Sequence, residues 1–319
     1  MEILFWGTRG SLPYAVTSNI VKEKIKTAIE LARGRTFNSS EELDLFIENA
    51  LPFSIRGGYG CNTSCIEIKG GNEFILCDAG TGLRDFGNSV MASLGKKENP
   101  KVINIFLSHL HWDHIQGFPF FTPAYIPGYT INIFGFHDGI KDAFVKQQSA
   151  PCFPVPLQAM QAKINFTTLD LKDEYSIADF KIKGIKQNHP GDSYGYSFEK
   201  NDKKAVYSTD NEHKKDAEQE DYKFIEFCKN ADLLILDAQY SLIDAIHTKK
   251  DWGHSSNILV TELAVRSKVK RLCMFHHEPT CNDDDLENFL KDTIDYLKIY
   301  DELSPLRVEM SYDSMHIEL

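Results

Sequence analysis

The stretch Ser108-His109-Leu110-His111-Trp112-Asp113-His114 decides how the rest of the chain is read. It follows an apolar run, Val102 to Leu107, that predicts a buried strand. His109, His111, Asp113 and His114 are four metal-capable side chains within six residues, set straight off a strand end. A surface turn that merely held three histidines would leave that spacing unexplained. His109 and His111, two apart in extended backbone, point the same way and can share one ion. Asp113 and His114 fall past the turn and face a second. Imidazole with carboxylate suits zinc, with manganese or iron also admitted. Two ions about 3.5–4 Å apart can bridge a hydroxide nucleophile and clamp both the attacking and the leaving oxygen of a displacement. The stretch therefore predicts a metal centre doing hydrolysis.

Outward from it, strand after strand ends in a residue of the same kind. The expected strands at 73–77, 180–187, 205–208, 233–236 and 271–275 lead to Asp78, His189, Asp210, Asp237 and His276. In a layered α/β fold such ends converge on one rim, where active sites form. A carboxylate such as Asp210 is what a bridge between two divalent ions requires. Asp251-Trp252-Gly253-His254-Ser255-Ser256-Asn257 precedes an expected helix over 258–265, with Ser255 or Ser256 as its cap. Of the 11 histidines, His137, His213, His247 and His316 sit in helical, polar or terminal contexts that predict surface positions. His277, beside His276, either supports a ligand or is simply packed.

The remaining segments frame this rim. Ile3 to Trp6 predicts a strand, and Gly7-Thr8-Arg9-Gly10-Ser11-Leu12-Pro13 a glycine-bearing loop after it. Residues 17–50 turn helical, with Ser39-Ser40-Glu41-Glu42 as a helix start. This helical insertion, near residues 15–55, is either a solvated helix pair or a lid or substrate-facing arm. A hairpin is expected over 63–69 and 73–77 through Gly70-Gly71. Cys61 and Cys65 fit thiols on one face of that sheet, at or near the core, better than a metal knuckle. Residues 91–100 lead into the strand before the metal stretch. Asn282 caps a last helix, and Met315 to Leu319 closes the chain as a strand. With no repeat, low-complexity tract or linker, the expectation is a single domain over 1–319.

Composition limits the partners. The chain is 42% hydrophobic and 25% charged, enough for a sizeable core, and no apolar run approaches the roughly 20 residues that span a bilayer. Seven scattered cysteines argue against a disulfide framework and for a reducing, cytoplasmic setting. A net charge of −11 makes the chain a poor candidate for gripping long nucleic acid. It restricts the size of a phosphate substrate more than its type. No membrane partner is expected, and a homodimer is left open.

His109-x-His111-x-Asp113-His114 after a strand, followed by His189, Asp210 and His276, resembles the metallo-β-lactamase-fold hydrolases over residues 1 to about 280. Gly7-Thr8-Arg9-Gly10-Ser11, Asn62-Thr63-Ser64, Asp78-Ala79-Gly80 and Gly253-His254-Ser255-Ser256 are similar to its phosphodiesterase branch, which includes ribonuclease Z and small cyclic-nucleotide phosphodiesterases. The resemblance implies an α/β fold of four layers, αββα, with two facing mixed sheets. It implies one metal on His109, His111 and His189, another on Asp113, His114 and His276, and Asp210 shared between them. It gives Asp78 a structural part near the site. His254, oriented by Asp237, would bind the phosphoryl oxygen or protonate the leaving alkoxide. Two departures bear on the substrate. True β-lactamases commonly carry cysteine where Asp210 stands, and the ribonuclease branch carries a basic or glycine-rich arm that this chain lacks. The expectation is an enzyme, a dinuclear metal phosphodiesterase on a small diester such as a cyclic nucleotide. A lactone or thioester hydrolase, an RNA endonuclease and a non-catalytic metal-binding sensory protein stand behind it. None of those on lactones or thioesters, nor a sensor, has the same need of a His254–Asp237 acid.

Overall fold

Burial alternates along Glu2–Gly7 and Thr130–Gly135 and is unbroken along Leu233–Asp237. That contrast separates strands with one covered face from a strand covered on both. The chain is described by a computed structural model over residues 1–93 and 100–319, so most of the lead-in expected at 91–100 lies outside the described residues. In chain order the strands are β1 (Glu2–Gly7), β2 (Cys65–Lys69), β3 (Phe74–Cys77), β4 (Val102–Phe106), β5 (Thr130–Gly135), β6 (Lys163–Thr168) and β7 (Tyr175–Ile177). They continue as β8 (Phe180–Gln187), β9 (Ser193–Lys200), β10 (Lys203–Ser208), β11 (Leu233–Asp237), β12 (Arg271–Phe275), β13 (Arg307–Met310) and β14 (His316–Glu318). Among the described residues they form two seven-stranded sheets, ordered β14-β1-β2-β3-β4-β5-β6 and β13-β12-β11-β10-β9-β8-β7.

Phe5, Ile66, Phe106, Tyr196, Phe198, Tyr207 and Phe275 meet between the sheets in one buried cluster. The outer face of the first sheet is covered by helices Gly82–Ala92 and Ile140–Gln147, which bury Phe86, Val90 and Phe144 against Ile103 and Ile131. Helices Asn257–Arg266 and Asp283–Tyr300 cover the second sheet through Val260, Leu263, Leu286 and Leu297. This is the four-layer αββα sandwich expected from the sequence. No helix among the described residues is long and apolar enough to cross a membrane.

Register brings the strand ends to one rim. β3 and β4 are parallel, pairing Cys77 with Phe106. β10, β11 and β12 are parallel, pairing Ser208 with Leu236 and Asp237 with Phe275. β8 is two antiparallel steps from β10 and so runs the same way. Asp78, His109, His189, Asp210, Asp237 and His276 thus leave the sheets at the same edge.

The insertion consists of helices Ser18–Leu31 and Ser40–Ala50 and a turn over Phe53–Arg56. Thr17 and Ser39 cap the two helices, accepting from the N–H groups of Ile20 and Glu42. The first helix buries no residue and is moored by Lys24 Nζ, 2.5 Å from both Asp283 and the Gly57 carbonyl.

Of the two serines expected to cap helix Asn257–Arg266, Ser256 does so, while Ser255 Oγ donates to the Asn211 carbonyl at 2.6 Å. Several details differ from the sequence reading. Cys61 stands ahead of β2, and only Cys65 is in the strand and fully buried. The short edge strands β7 and β13 had no local signal. His213, expected at the surface, is buried, because Tyr222 and Phe224 close over its ring at centroid distances of 5.8 and 4.5 Å.

Candidate metal centre

The site begins with residues that hold histidines rather than with the histidines themselves. Asp78, at the end of β3, is fully buried and takes four donors: Ser108 N–H (2.7 Å), Ser108 Oγ (2.8 Å), His114 Nδ1 (2.8 Å) and Tyr207 Oη (2.7 Å). It ties the metal stretch to β3 and, through Tyr207, to the opposite sheet. Ser108 spends its proton on Asp78, so its oxygen accepts from His109 Nδ1 at 3.0 Å. His189 Nδ1 donates to the Gly253 carbonyl at 2.9 Å, and His276 Nδ1 to Gln239 Oε1 at 3.3 Å. Each of these four rings therefore has Nδ1 engaged outside the cluster and Nε2 turned into it, the tautomer an outer partner imposes on a metal-binding imidazole.

Inside, the Asp210 carboxylate lies among all four. Its Oδ2 is 3.5 Å from His109 Nε2 and 3.6 Å from His189 Nε2; its Oδ1 is 3.3 Å from His114 Nε2 and 3.2 Å from His276 Nε2. Asp113 Oδ2 is 3.2 and 3.3 Å from the Nε2 atoms of His114 and His276, and it accepts the Ser11 N–H at 2.8 Å. His111 presents Nδ1 to His189 Nε2 at 3.1 Å. Ligand-capable atoms within 4.8 Å of one another fall into three groups: His109/His111/His189/Asp210, Asp113/His114/His276, and Asp210/Asp237/His254/His276.

The residues fit divalent metal. His109 Nε2 is buried with no hydrogen-bond partner, a lone pair facing carboxylate oxygen. Burial, with His114 beside it, holds His109 well below the usual histidine range, and burial lowers His111 and His189 too, so these rings stay neutral and able to ligate. Burial works against charge on Asp113 and Asp210, yet the surrounding imidazoles hold both well below the usual carboxylate range. Buried anionic oxygen interleaved with inward-turned imidazole is a cation site.

Local backbone conformation supports the arrangement. Asp78, Asp210 and His276 all sit in the left-handed region, at φ 60, 51 and 62°. Each costs about 1–3 kcal/mol and persists where surrounding bonds over-determine it. Two glycines are sterically required: a Cβ on Gly10 would lie 2.5 Å from His276 Nδ1, and one on Gly253 (φ 91°) 2.1 Å from His189 Nδ1.

His254 stands beside the cluster. Its ring stacks on His276 at 5.0 Å, and its Nδ1 donates to Asp237 Oδ2 at 2.7 Å. Asp237 is fixed in turn by the N–H groups of Gln239 (3.0 Å) and Asn211 (3.3 Å). Burial opposes charge on His254, but Asp237, with Asp210 and Asp113 beyond it, holds its pKa up to about 9. His277 turns away and bonds the Ser311 carbonyl at 2.8 Å. The nine residues expected as ligands or catalytic groups, His109, His111, Asp113, His114, His189, Asp210, Asp237, His254 and His276, are thus brought together, with Asp78 beneath them. Gln239, Tyr207 and Ser108 escaped notice as supports, since an isolated amide or hydroxyl carries no spacing signal.

Comparison with known proteins matches residues 73–277, more than half of the chain, to the family described as the beta-lactamase superfamily domain. Ribonuclease Z of Picrophilus torridus is 24% identical over 279 residues, covering 70% of this chain and 82% of the relative. Among solved structures, the metallo-beta-lactamase fold protein YhfI from Bacillus subtilis superposes with a TM-score of 0.64 at 18% identity, covering 100% of this chain and 98% of that one. A diphosphatase from the PhnP family gives 0.60 at 15% identity, covering 100% and 97%.

Proposed function

The chain belongs to the β-lactamase superfamily, and from that premise we propose that it is a dinuclear metal-dependent phosphodiesterase acting on a small diester such as a cyclic nucleotide. The observation that carries the reading is Asp210, whose two oxygens divide between the His109/His189 pair and the His114/His276 pair. A carboxylate so divided suits a bridge between two ions. One ion would be held by His109, His111 and His189, the other by Asp113, His114 and His276. Zinc fits this donor set, with manganese or iron compatible. Bound there, divalent ions supply Lewis acidity and a nucleophilic water at neutral pH.

The chain's own residues do the rest. Asp237 orients His254 through Nδ1, and Nε2 is left without a partner among the described residues. From that position Nε2 delivers a proton to the departing alkoxide or binds a phosphoryl oxygen. Asp113, pinned by the Ser11 N–H, holds its half-site in place. The outer bonds to Nδ1 keep the rings of His109, His114, His189 and His276 aligned while negative charge develops on the phosphoryl and leaving oxygens. An RNA endonuclease is the second reading, favoured by the ribonuclease Z relative. The net charge of −11 favours the small diester.

Metal analysis of the purified protein, combined with assays on cyclic nucleotides, bis(p-nitrophenyl) phosphate, lactones and short RNAs, tests this. About two metals per chain and turnover of the small diesters are expected. Turnover confined to lactones, or RNA cleavage without cyclic-nucleotide hydrolysis, would overturn the reading. Full activity in Asp210→Ala would overturn the dinuclear arrangement.

A further inference from the structure

Large aromatic side chains seldom stand in water without a reason, and two do so here beside the metal centre. Trp112 is 69% exposed and Trp252 59% exposed, whereas the chain's third tryptophan, Trp6, is half-buried and bonded to Glu67. Trp112 lies between His111 and Asp113, so its Cα is about 3.8 Å from the Cα of each. Trp252 precedes Gly253, whose carbonyl receives His189 Nδ1 at 2.9 Å. Since His111 and His189 are themselves 3.1 Å apart, the two tryptophans are chain neighbours of the residues on either side of one pair of site histidines. That pair includes His111, the exposed member of its cluster, so this is the side on which the centre opens to solvent. Neither indole makes a hydrogen bond or ring contact among the described residues.

Resting on the phosphodiester reading above, we infer that Trp112 and Trp252 form a stacking site at the mouth of the centre, which takes the nucleobase or aryl group of the substrate. The metal cluster disposes of the phosphoryl charge, so what surrounds it must recognise the remainder of the molecule. Lys214 and Lys249 are committed to Asp251 at 2.6 Å and Glu278 at 2.7 Å. Leu12, next to the Ser11 whose N–H reaches Asp113, is exposed as well. A flat, uncharged π face is what two free indoles bind well.

The test uses the metal-loaded protein. Tryptophan emission should be quenched saturably by adenosine and by adenosine 5′-monophosphate but not by ribose 5-phosphate. In Trp112→Ala and Trp252→Ala, the ratio of kcat/KM for a nucleoside diester to that for glycerophosphocholine should fall on the order of tenfold, chiefly through KM. An unchanged ratio with unquenched emission would overturn the stacking site. So would a concentration-dependent doubling of mass in sedimentation that the Trp→Ala variants abolish, since the indoles would then be covered by a second copy. If no diester is turned over but adenosine still quenches, the stacking site stands and the phosphodiester reading fails.

Discussion

At the scale of single residues, the histidines divide by what their Nδ1 atoms touch. His254 alone gives Nδ1 to a carboxylate that accepts no other side chain, which suits it to the proton-donating role proposed above. His254→Asn should lower kcat by about 10²–10⁴ while metal content stays near two per chain. Loss of metal in that variant would reassign His254 to ligation. His213 and His277 answer a different question. Burial pushes each down to about 3, with Arg9 reinforcing the effect at His277. An unfolded histidine titrates near 6.5, so between about 6.5 and 3 the unfolded chain binds the extra proton. Stability is therefore full above about pH 6.5 and falls as pH drops, by about 1.4 kcal/mol per unit for each ring. Urea unfolding followed from pH 7.5 to 5.5 should show this slope, and His213→Asn should reduce it by about one proton. An equal slope in that variant would show that His213 is already charged when folded.

At the scale of elements, the parallel strands β4, β5 and β6 carry a ladder of side-chain amides. Asn104, Asn132 and Asn165 are in register. Asn165 Nδ2 donates to Asn132 Oδ1 at 2.8 Å, Asn132 Nδ2 to Asn104 Oδ1 at 2.9 Å, and Asn104 Nδ2 to Glu73 at 2.8 Å. Asn132→Leu breaks two rungs and leaves the buried Asn104 oxygen unpaired, so a loss of about 1–3 kcal/mol is expected by urea denaturation. The polar positions on the inner face of such a strand hide from sequence: Ile131-Asn132-Ile133 reads as plain alternation, and only register reveals the partner. Elements with a strong local signal were legible. β8 and β12 fall at the expected residues, 180–187 and 271–275, and Ser39 caps a helix as its spacing to Glu42 implied. What escaped were the short edge strands β7 and β13, and the burial of His213. Its neighbours Glu212, Lys214 and Lys215 are polar, and its cover arrives from Tyr222 and Phe224, later in the chain.

At the scale of the whole molecule, the site is a clasp between the sheets. His109, His111, Asp113 and His114 follow β4 of the first sheet; His189, Asp210 and His276 follow β8, β10 and β12 of the second. Chelation would leave Asp113 and Asp210 facing one another's imidazoles without the cations that suit them. Stripping the metals should therefore lower stability by about 2.7 kcal/mol or more if the free ion stands a hundredfold above its dissociation constant. Calorimetry with and without a chelator, followed by readdition of zinc, measures it. An identical melting temperature in both states would deny the ions any part in joining the sheets. The strand-end positions of these ligands were readable from the sequence, but their pairing across the sandwich needed the fold. That pairing also has a meaning in time. His114 and His276 are 162 residues apart, so at roughly 5–20 residues per second the two are translated about 10–30 s apart. For that interval the nascent chain carries half of a clasp, and any product that stops before His276 never closes it.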